Sequence, residues 1–225
     1  MTPASWESDL EGLRARFDVV ESTFTCGNRT FTLAHPRNSD VLIKEEDYVM
    51  DERLPYWADV WPSSRVLADH IMRHKGNGRS ALELGCGSGL VACALSAAGY
   101  VVTATDYYPD ALEFTRNNAW RNTGRRIATR MVNWRQLPRD LGRFDVVVAS
   151  DVLYEHTHGE LVSDALLATL RDDGYALIAD PGRLSLESFL LSAEEGGMAL
   201  TEKWDTPFGE GESRQVVRLH ALQIR

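Results

Sequence analysis

The hydrophobic positions of this chain change their pattern near residue 80. Beyond it, short apolar runs alternate with longer runs whose apolar residues recur every three or four positions, as is typical of buried strands and amphipathic helices. Residues 144–149 (Phe-Asp-Val-Val-Val-Ala) are rich in valine, as a strand covered on both faces should be. The predicted strands are 81–84, 100–105, 127–132, 144–149 and 175–179, and the predicted helices are 90–98, 110–121, 159–170 and 184–195. This alternation predicts an α/β domain with a parallel sheet.

The last two β-rich runs, 198–204 and 214–222, are joined by a short glycine-rich loop. A parallel crossover needs about a dozen or more residues, so this connection predicts an antiparallel pair. We therefore expect a parallel βα array that is closed by an antiparallel hairpin.

The residues before 80 predict a small N-terminal extension and one further helix. Ser5 is a good N-cap for a short first helix. Two β-rich runs, 17–26 and 29–34, flank Gly27-Asn28, which is a typical hairpin turn. A helical pattern follows at 65–74.

Composition favours a soluble protein with one main domain. The chain has 225 residues, 44% of them hydrophobic, and no apolar run approaches the ~18 residues of a membrane span. The first residues lack the basic and apolar segments of a secretory signal. Cys26, Cys86 and Cys93 are an odd number of cysteines without metal-ligand spacing, which favours reduced thiols. These features predict a cytoplasmic location and no membrane partner.

Charge is distributed unevenly along the chain. The formal net charge is −9, yet residues 116–143 hold eight arginines and a single acid, Asp140. The simpler interpretation of this stretch is a solvated surface, and the alternative is a docking patch for an acidic partner. Nucleic acid is a poorer candidate because the chain is acidic overall and has no recognisable nucleic-acid motif.

The segment from Glu83 to Gly89 (Glu-Leu-Gly-Cys-Gly-Ser-Gly) lies where the first predicted strand turns into a helix. Glycines allow a ligand to approach the main chain there, and the first amides of the helix are unpaired donors. A dinucleotide fingerprint would require a glycine at Leu90, and the Gly-Lys-Ser/Thr of a phosphate-binding loop is absent. A carboxylate at Glu83 would repel a pyrophosphate but suits a ligand with an ammonium and a sulfonium group.

Asp106 stands seventeen residues after the last glycine of this loop, at the end of the second predicted strand. Its two oxygens can accept hydrogen bonds from both hydroxyls of a ribose, while Tyr107 and Tyr108 offer apolar surface for an adenine. The combination predicts a nucleoside-containing cofactor.

Two pairs of side chains before residue 80 have two interpretations each. Trp57 and Trp61, in a segment interrupted by prolines, form either an aromatic wall of a binding site or part of the core. His70 and His74 are four residues apart on a predicted helix, but no third metal ligand is evident. We expect a solvated helix end there and no metal site.

The residues above resemble the seven-β-strand S-adenosylmethionine-dependent methyltransferases. Residues 55–63 together with Ser150, Asp151 and Tyr154 are more narrowly similar to the methyltransferase-16 group, which contains many protein-lysine methyltransferases and uses an Asp-x-x-Tyr motif beside the substrate amine. The resemblance covers about residues 40–222. It implies a three-layer Rossmann-like sheet of seven strands in the order 3-2-1-4-5-7-6, with the last strand antiparallel.

The resemblance also implies a division of the chain and a set of site residues. We expect residues 1–53 to form the N-terminal extension and residues 54–225 the methyltransferase domain. The first forty residues do not share the resemblance and are the candidate region for substrate choice. Asp151 and Tyr154 would face the methyl acceptor. The implied cofactor-binding residues are Trp57, Trp61, Glu83, Gly85, Gly87, Asp106, Tyr107, Trp134 and Ser150. One departure from the group is Ser64, where many members have glycine.

Methyl transfer to a lysine requires a neutral amine, and at a pKa of ~10.4 only about one amine in a thousand is neutral near pH 7.4. An apolar channel would lower that pKa by disfavouring the charged form, and Asp151 would accept a hydrogen bond from the amine or support the backbone near the cofactor. His156 and His158 follow closely and are interpreted as ordinary loop histidines, with proton relay as the alternative. The leading hypothesis is a protein-lysine methyltransferase; a small-molecule amine methyltransferase and a non-catalytic cofactor-binding module are the alternatives.

Overall fold

The computed structural model describes residues 5–39, 42, 55–209 and 214–225. Its helices are α1 (Trp6–Arg14), α2 (Pro62–Ile71), α3 (Leu90–Ala98), α4 (Pro109–Thr123), α5 (His158–Thr169) and α6 (Ser185–Glu195). Its strands are β1 (Val19–Cys26), β2 (Arg29–Pro36), β3 (Ser80–Leu84), β4 (Val101–Asp106), β5 (Ala128–Met131), β6 (Phe144–Ser150), β7 (Leu170–Asp180), β8 (Met198–Phe208) and β9 (Gln215–Ile224).

The main sheet has seven strands within the described residues, in the order β5-β4-β3-β6-β7-β9-β8. Strands β3 to β7 pair in parallel, whereas β9 runs antiparallel to both β7 and β8. Numbered within the sheet, this is the order 3-2-1-4-5-7-6. The predicted α/β class, strand order and antiparallel last strand are therefore confirmed.

The predicted element boundaries hold to within a few residues, and the larger differences have local causes. Strand β7 begins at Leu170 and not at 175, because Leu170 pairs with Phe144 before a bulge moves the register to Tyr175 opposite Val146. Helix α2 begins three residues earlier than predicted, at Pro62, where the missing N–H of proline costs nothing in the first turn.

Alternate side chains of the sheet enter two hydrophobic layers. Val146 and Val148 belong to the cluster that contains buried residues of α2 and α3, whereas Val147 and Ala149 belong to the cluster that contains those of α5 and α6. This two-residue period is the reason why a valine-rich run is buried on both faces.

The N-terminal extension forms α1 and a two-stranded antiparallel sheet of its own. The Ser5 hydroxyl accepts a hydrogen bond from the Ser8 N–H (3.3 Å), which confirms the predicted N-cap. Gly27, with φ of +58°, forms the predicted hairpin turn with Asn28.

Two asparagines of α4 attach the hairpin to the main domain. Asn118 and Asn122 are four apart on one helix face, and each both accepts from a backbone N–H and donates to the carbonyl of the same β2 residue. Asn118 pairs with Ala34 (2.9 and 2.8 Å) and Asn122 with Thr32 (both 2.8 Å). Because alternate residues of a strand point the same way, a helical spacing of four matches a strand spacing of two.

Candidate active site

A cavity lies at the carboxyl ends of β3, β4 and β6. The chain leaves β3 toward β4 on one side and returns to β6 on the other, and such a switch point is where open α/β sheets bind ligands. The space between its walls, including the part open to solvent, is about 1000 Å³. Its lining includes Tyr56, Trp57, Trp61, Gly85, Gly87, Asp106, Tyr107, Trp134, Ser150, Asp151, Tyr154 and His158.

Two positions in the loop after β3 favour glycine, because a side chain there would collide with neighbouring atoms and would have to adopt a positive φ. Gly85 has φ of +71°, and a Cβ there would lie 2.9 Å from Val152 Cγ1 and 3.6 Å from the Trp134 ring. Gly87 has φ of +51°, and its Cβ would lie 3.0 Å from the Trp57 carbonyl oxygen. The loop then enters α3 at Gly89, so the amino end of a helix points into the same region.

Glu83 lies behind this loop and not in the wall of the cavity. Its side chain shares the β3 face of Ala81, is 2% exposed, and accepts a hydrogen bond from the Ala92 N–H in the first turn of α3. Burial, together with the nearby Asp106, raises the pKa of Glu83 well above its ordinary value. The expected position at the mouth of the loop is thus corrected: Glu83 supports the start of the helix from below.

Asp106, at the end of β4, is fixed by the backbone around it. Its Oδ2 accepts the Gly87 N–H (2.9 Å) and its Oδ1 accepts the Tyr108 N–H (3.0 Å). Burial raises the pKa of Asp106, and the hydrogen bonds from Tyr108 and Gly87 oppose that rise. The carboxylate also accepts the Tyr107 N–H, so three backbone donors fix its orientation and its remaining lone pair is available to a hydroxyl donor from the cavity. Tyr107 is 38% exposed at the rim.

The two tryptophans of the N-terminal wall have different surroundings. Trp57 is 8% exposed and packs against Phe17 and Phe114, so it fills core and lines the cavity at once. Trp61 is half-buried, and its Nε1–H donates to the Tyr56 carbonyl (2.9 Å). Each of the two interpretations therefore applies in part. Trp57 belongs to the core as well as to the cavity wall, and Trp61 belongs to the wall.

Trp134 and His158 form the wall opposite. Trp134 begins a 3-10 turn (Trp134–Gln136), and its ring meets the His158 ring edge to face at 5.3 Å. His158 is 7% exposed; its Nδ1–H donates to the Val152 carbonyl (2.7 Å), and Nε2 lies 3.2 Å from Glu155. The interpretation of His158 as an ordinary loop histidine is therefore wrong, because His158 is the first residue of α5 and its ring contacts those of Trp134 and Tyr154.

Asp151 and Tyr154 follow β6 and reach the same cavity. Asp151 has φ of +59°, an uncommon conformation for a residue other than glycine. Its side chain is 3% exposed, and Oδ1 accepts hydrogen bonds from Nε (2.8 Å) and Nη2 (2.5 Å) of Arg183. Tyr154 is 40% exposed, with its ring 5.3 Å from Tyr56 and 4.7 Å from His158.

Arg183 was missed by the sequence analysis. The signal for it is the run Asp-Pro-Gly-Arg at 180–183, which begins at the last residue of β7. Strand β7 is the neighbour of β6 in the sheet. A strand end beside the end of β6 is a place from which a side chain can reach Asp151.

Several arginines of the 116–143 stretch form ion pairs or ring contacts with other residues of the chain. Arg121 binds Glu21, Arg130 binds Asp140, and Arg126 lies over the Trp120 ring at 3.8 Å. Such contacts favour the interpretation as a solvated surface and give no support to an acidic partner. On α2, His70 packs against His74 and Trp204, both with ring centroids at 4.9 Å.

A family model described as lysine methyltransferase matches residues 48–193. The chain belongs to this lysine methyltransferase family. Its cofactor is S-adenosylmethionine, and the glycine loop, the oriented carboxylate of Asp106 and the adjoining aromatic walls fit that molecule.

Several curated relatives and solved structures resemble part of the chain. The electron transfer flavoprotein beta subunit lysine methyltransferase of Xenopus laevis is 32% identical over 139 residues, 60% of this chain and 55% of that protein. The protein-lysine methyltransferase METTL21E of Mus musculus is 33% identical over 114 residues, 45% and 46% of the two chains. The chain thus spans about half the length of the curated relatives it matches.

The fold is shared with the ribosomal protein L11 methylase of Lactobacillus delbrueckii subsp. bulgaricus, at a TM-score of 0.55 and 21% identity, over 72% of this chain and 78% of that one. Across the described part of the chain, none of the helices is both long and apolar enough to traverse a bilayer.

Proposed function

We propose that this protein transfers a methyl group from S-adenosylmethionine to the side-chain amine of a lysine in a protein substrate. The observation that carries the proposal is that one cavity joins two sets of groups. The glycine loop and Asp106 suit the donor, and the buried carboxylate of Asp151 beside half-exposed Tyr154 suits an amine that donates a hydrogen bond. The kinship with protein-lysine methyltransferases supports the choice of acceptor.

On the donor side, Gly85 and Gly87 contact the methionine part of the cofactor in this proposal, and Asp106 accepts from the ribose. Trp134 and Tyr107 contact the adenine. When bound, S-adenosylmethionine supplies a methyl group on a positively charged sulfur. The protein's own task is to align the two reactants and to exclude water.

Four further residues complete the proposed cofactor site. Trp57 and Trp61 cover it from the N-terminal side, and Ser150 lies at the β6 end of the cavity. Glu83 acts from behind the loop, by holding the amino end of α3 in place.

On the acceptor side, we propose that the rings of Tyr56, Trp61 and Tyr154 enclose the lysine side chain. Tyr56 links the other two, with ring centroids 5.9 Å from Trp61 and 5.3 Å from Tyr154. This aromatic surface disfavours the ammonium form relative to water and so helps the amine to lose its proton. Asp151 accepts a hydrogen bond from the amine and directs its lone pair.

The chain is proposed to divide into an extension (1–53) and a methyltransferase domain (54–225), and to work in the cytoplasm. The separate sheet of β1 and β2 supports the division. The free thiols of Cys26, Cys86 and Cys93 agree with a reducing compartment.

The test is to incubate the protein with methyl-labelled S-adenosylmethionine and a lysate from its source, and to locate the label by mass spectrometry. We expect methylated lysine in one or a few proteins. We expect Asp151→Asn to lower the rate on the order of a hundredfold, because the oriented acceptor is lost. Exposed Asp164 on α5 provides the matched control, Asp164→Asn, which should act like the unaltered protein.

Label that appears only in the small-molecule fraction would overturn the protein substrate and favour a small-molecule amine. Cofactor binding without any transfer would favour a non-catalytic binding module instead.

A further inference from the structure

A short turn after β7 holds Arg183 against the acceptor site. Asp180 ends the strand, and its Oδ1 accepts the N–H groups of Gly182 (2.6 Å) and Arg183 (2.7 Å). Gly182 has φ of +93°, and a Cβ there would collide with the guanidinium of Arg218, which itself donates to the Pro181 carbonyl (3.2 Å). The backbone of Arg183 is thus fixed by a buried carboxylate and by packing on β9.

The guanidinium of Arg183 meets the Asp151 carboxylate from the end of the neighbouring strand. Two of its nitrogens, Nε and Nη2, donate to the same oxygen, Oδ1, at 2.8 and 2.5 Å. Oδ2 takes no part in this clamp. The same guanidinium lies 5.7 Å from the centre of the Trp61 ring, so it also touches the aromatic wall.

We propose that Arg183 is a positioning residue of the acceptor site: it immobilises Asp151 through Oδ1 and leaves Oδ2 for the substrate amine. The inference rests on the proposed lysine methylation. Two guanidinium nitrogens that donate to one carboxylate oxygen restrict the rotation of the carboxylate. A lysine at this position would supply a single charged nitrogen and would not restrict that rotation.

The pair also sets the charge that the acceptor meets. The positive charge of Arg183 offsets the negative charge of Asp151, whose side chain is only 3% exposed, so Coulomb interactions there are weakly screened. An ammonium ion approaching Asp151 is consequently repelled by Arg183, while a neutral amine keeps its hydrogen bond. The clamp therefore favours the form of lysine that can react.

A second buried acid belongs to the same arrangement. Asp180 is fully buried, and burial raises the pKa of its carboxyl group, while the hydrogen bonds that it accepts from the N–H groups of Arg183 and Gly182 oppose that rise. Arg183 thus lies between two carboxylates: its backbone N–H binds Asp180 and its side chain binds Asp151.

The experiment compares Arg183→Met, Arg183→Lys and Arg183→Ala with the unaltered protein, on the lysine-containing substrate found by labelling. We expect kcat to fall about 10- to 100-fold in Arg183→Met, as for a reacting group displaced by about 1 Å, with the Kd for S-adenosylmethionine within about threefold by calorimetry. Arg183→Lys should lose at least tenfold. Added guanidinium ion should restore part of the kcat of Arg183→Ala. Arg171→Met, which removes an exposed arginine from its pair with Asp145, is the control and should leave kcat unchanged.

Arg183→Met and Arg183→Lys with kcat within twofold of the unaltered protein would overturn the inference, as would an Arg183→Ala protein that guanidinium does not restore. If Arg183→Met fails to fold, Arg183→Lys and the guanidinium rescue decide. Failure of the unaltered protein to methylate any protein lysine would instead overturn the proposed function, so the two failures are distinguishable.

Discussion

The side chain of Asn118 is paired with both backbone groups of Ala34, and the same Nδ2 also donates to the Ser88 carbonyl (2.8 Å). Both N–H donors of the amide and one of the two lone pairs of its oxygen are used in a fully buried site. Since Ala34 lies on the hairpin and Ser88 in the glycine loop, one side chain joins the N-terminal extension to the cofactor region.

Asn118→Ala should therefore lower both stability and cofactor affinity. It leaves buried backbone groups of Ala34 and Ser88 without a partner, at a cost of about 1–3 kcal/mol for each group. Denaturant unfolding measures the first effect and calorimetry with S-adenosylmethionine the second.

Asn122→Ala is the matched control for that experiment. Asn122 makes the same paired contact with Thr32 but does not touch the loop. We expect a loss of stability with unchanged cofactor affinity; equal effects of the two variants on affinity would contradict the coupling of hairpin and loop.

Much of the fold was predictable because it depends on local pattern. Apolar runs identified the five parallel strands, and the short loop before β9 required an antiparallel pair. The position of Glu83 was also accessible in principle. Ala81 and Glu83 alternate with Leu82 and Leu84, so the two-residue period of a strand already places the two pairs on opposite faces of the sheet. The period does not indicate which of these faces α3 covers.

The acceptor site was less predictable because it depends on distant contacts. The motif containing Asp151 and Tyr154 could be identified in the sequence, yet nothing local indicates that Arg183, 32 residues away, binds Asp151. His158 is similar in part, since it contacts the ring of distant Trp134 as well as its near neighbours Val152, Tyr154 and Glu155.

Gly87→Ala should impair both folding and cofactor binding. At φ of +51° an alanine costs about 1–2 kcal/mol, and its Cβ would also press on the Trp57 carbonyl at 3.0 Å. Gly124→Ala provides the control, because Gly124 has φ of +67° with open space around it. We expect both variants to lose stability in denaturant and only Gly87→Ala to lose affinity for S-adenosylmethionine. An equal loss of affinity in Gly124→Ala would mean that strain alone, and not the crowded loop, controls binding.

Asp106→Asn should weaken cofactor binding while keeping the size of the side chain. The amide nitrogen cannot accept the N–H of Gly87 or Tyr108, so one of these bonds is lost along with the charge. Hydrogen bonds to charged groups contribute about 1.5–3 kcal/mol, which corresponds to a Kd raised roughly 10- to 150-fold. Calorimetry measures this change, and a Kd within twofold would exclude Asp106 as a cofactor ligand.

Binding should also weaken as the pH falls. Burial raises the pKa of Asp106, so protonation removes its charge and turns one of its oxygens into a donor at a higher pH than for an exposed aspartate. We expect the Kd of the unaltered protein to rise as the pH is lowered toward that pKa. The Kd of Asp106→Asn should change less over the same range, and parallel pH profiles of the two proteins would contradict the assignment.

Glu83 should destabilise the folded protein as the pH rises, whereas an acid with a lowered pKa stabilises it, and Glu83→Gln should remove this effect. The pKa of Glu83 is raised in the folded protein, so the folded state binds its proton more tightly than the unfolded state, in which the pKa is about 4.5. The contribution of Glu83 to the free energy of unfolding is therefore largest at low pH and declines as the pH rises from 4.5 to the raised pKa. Glutamine keeps an acceptor for the Ala92 N–H and has no charge to bury, so the difference in stability between Glu83→Gln and the unaltered protein should grow in favour of the variant over that window. Denaturant unfolding of the cofactor-free proteins at several pH values measures this difference, and a constant difference would show that Glu83 binds protons equally in both states.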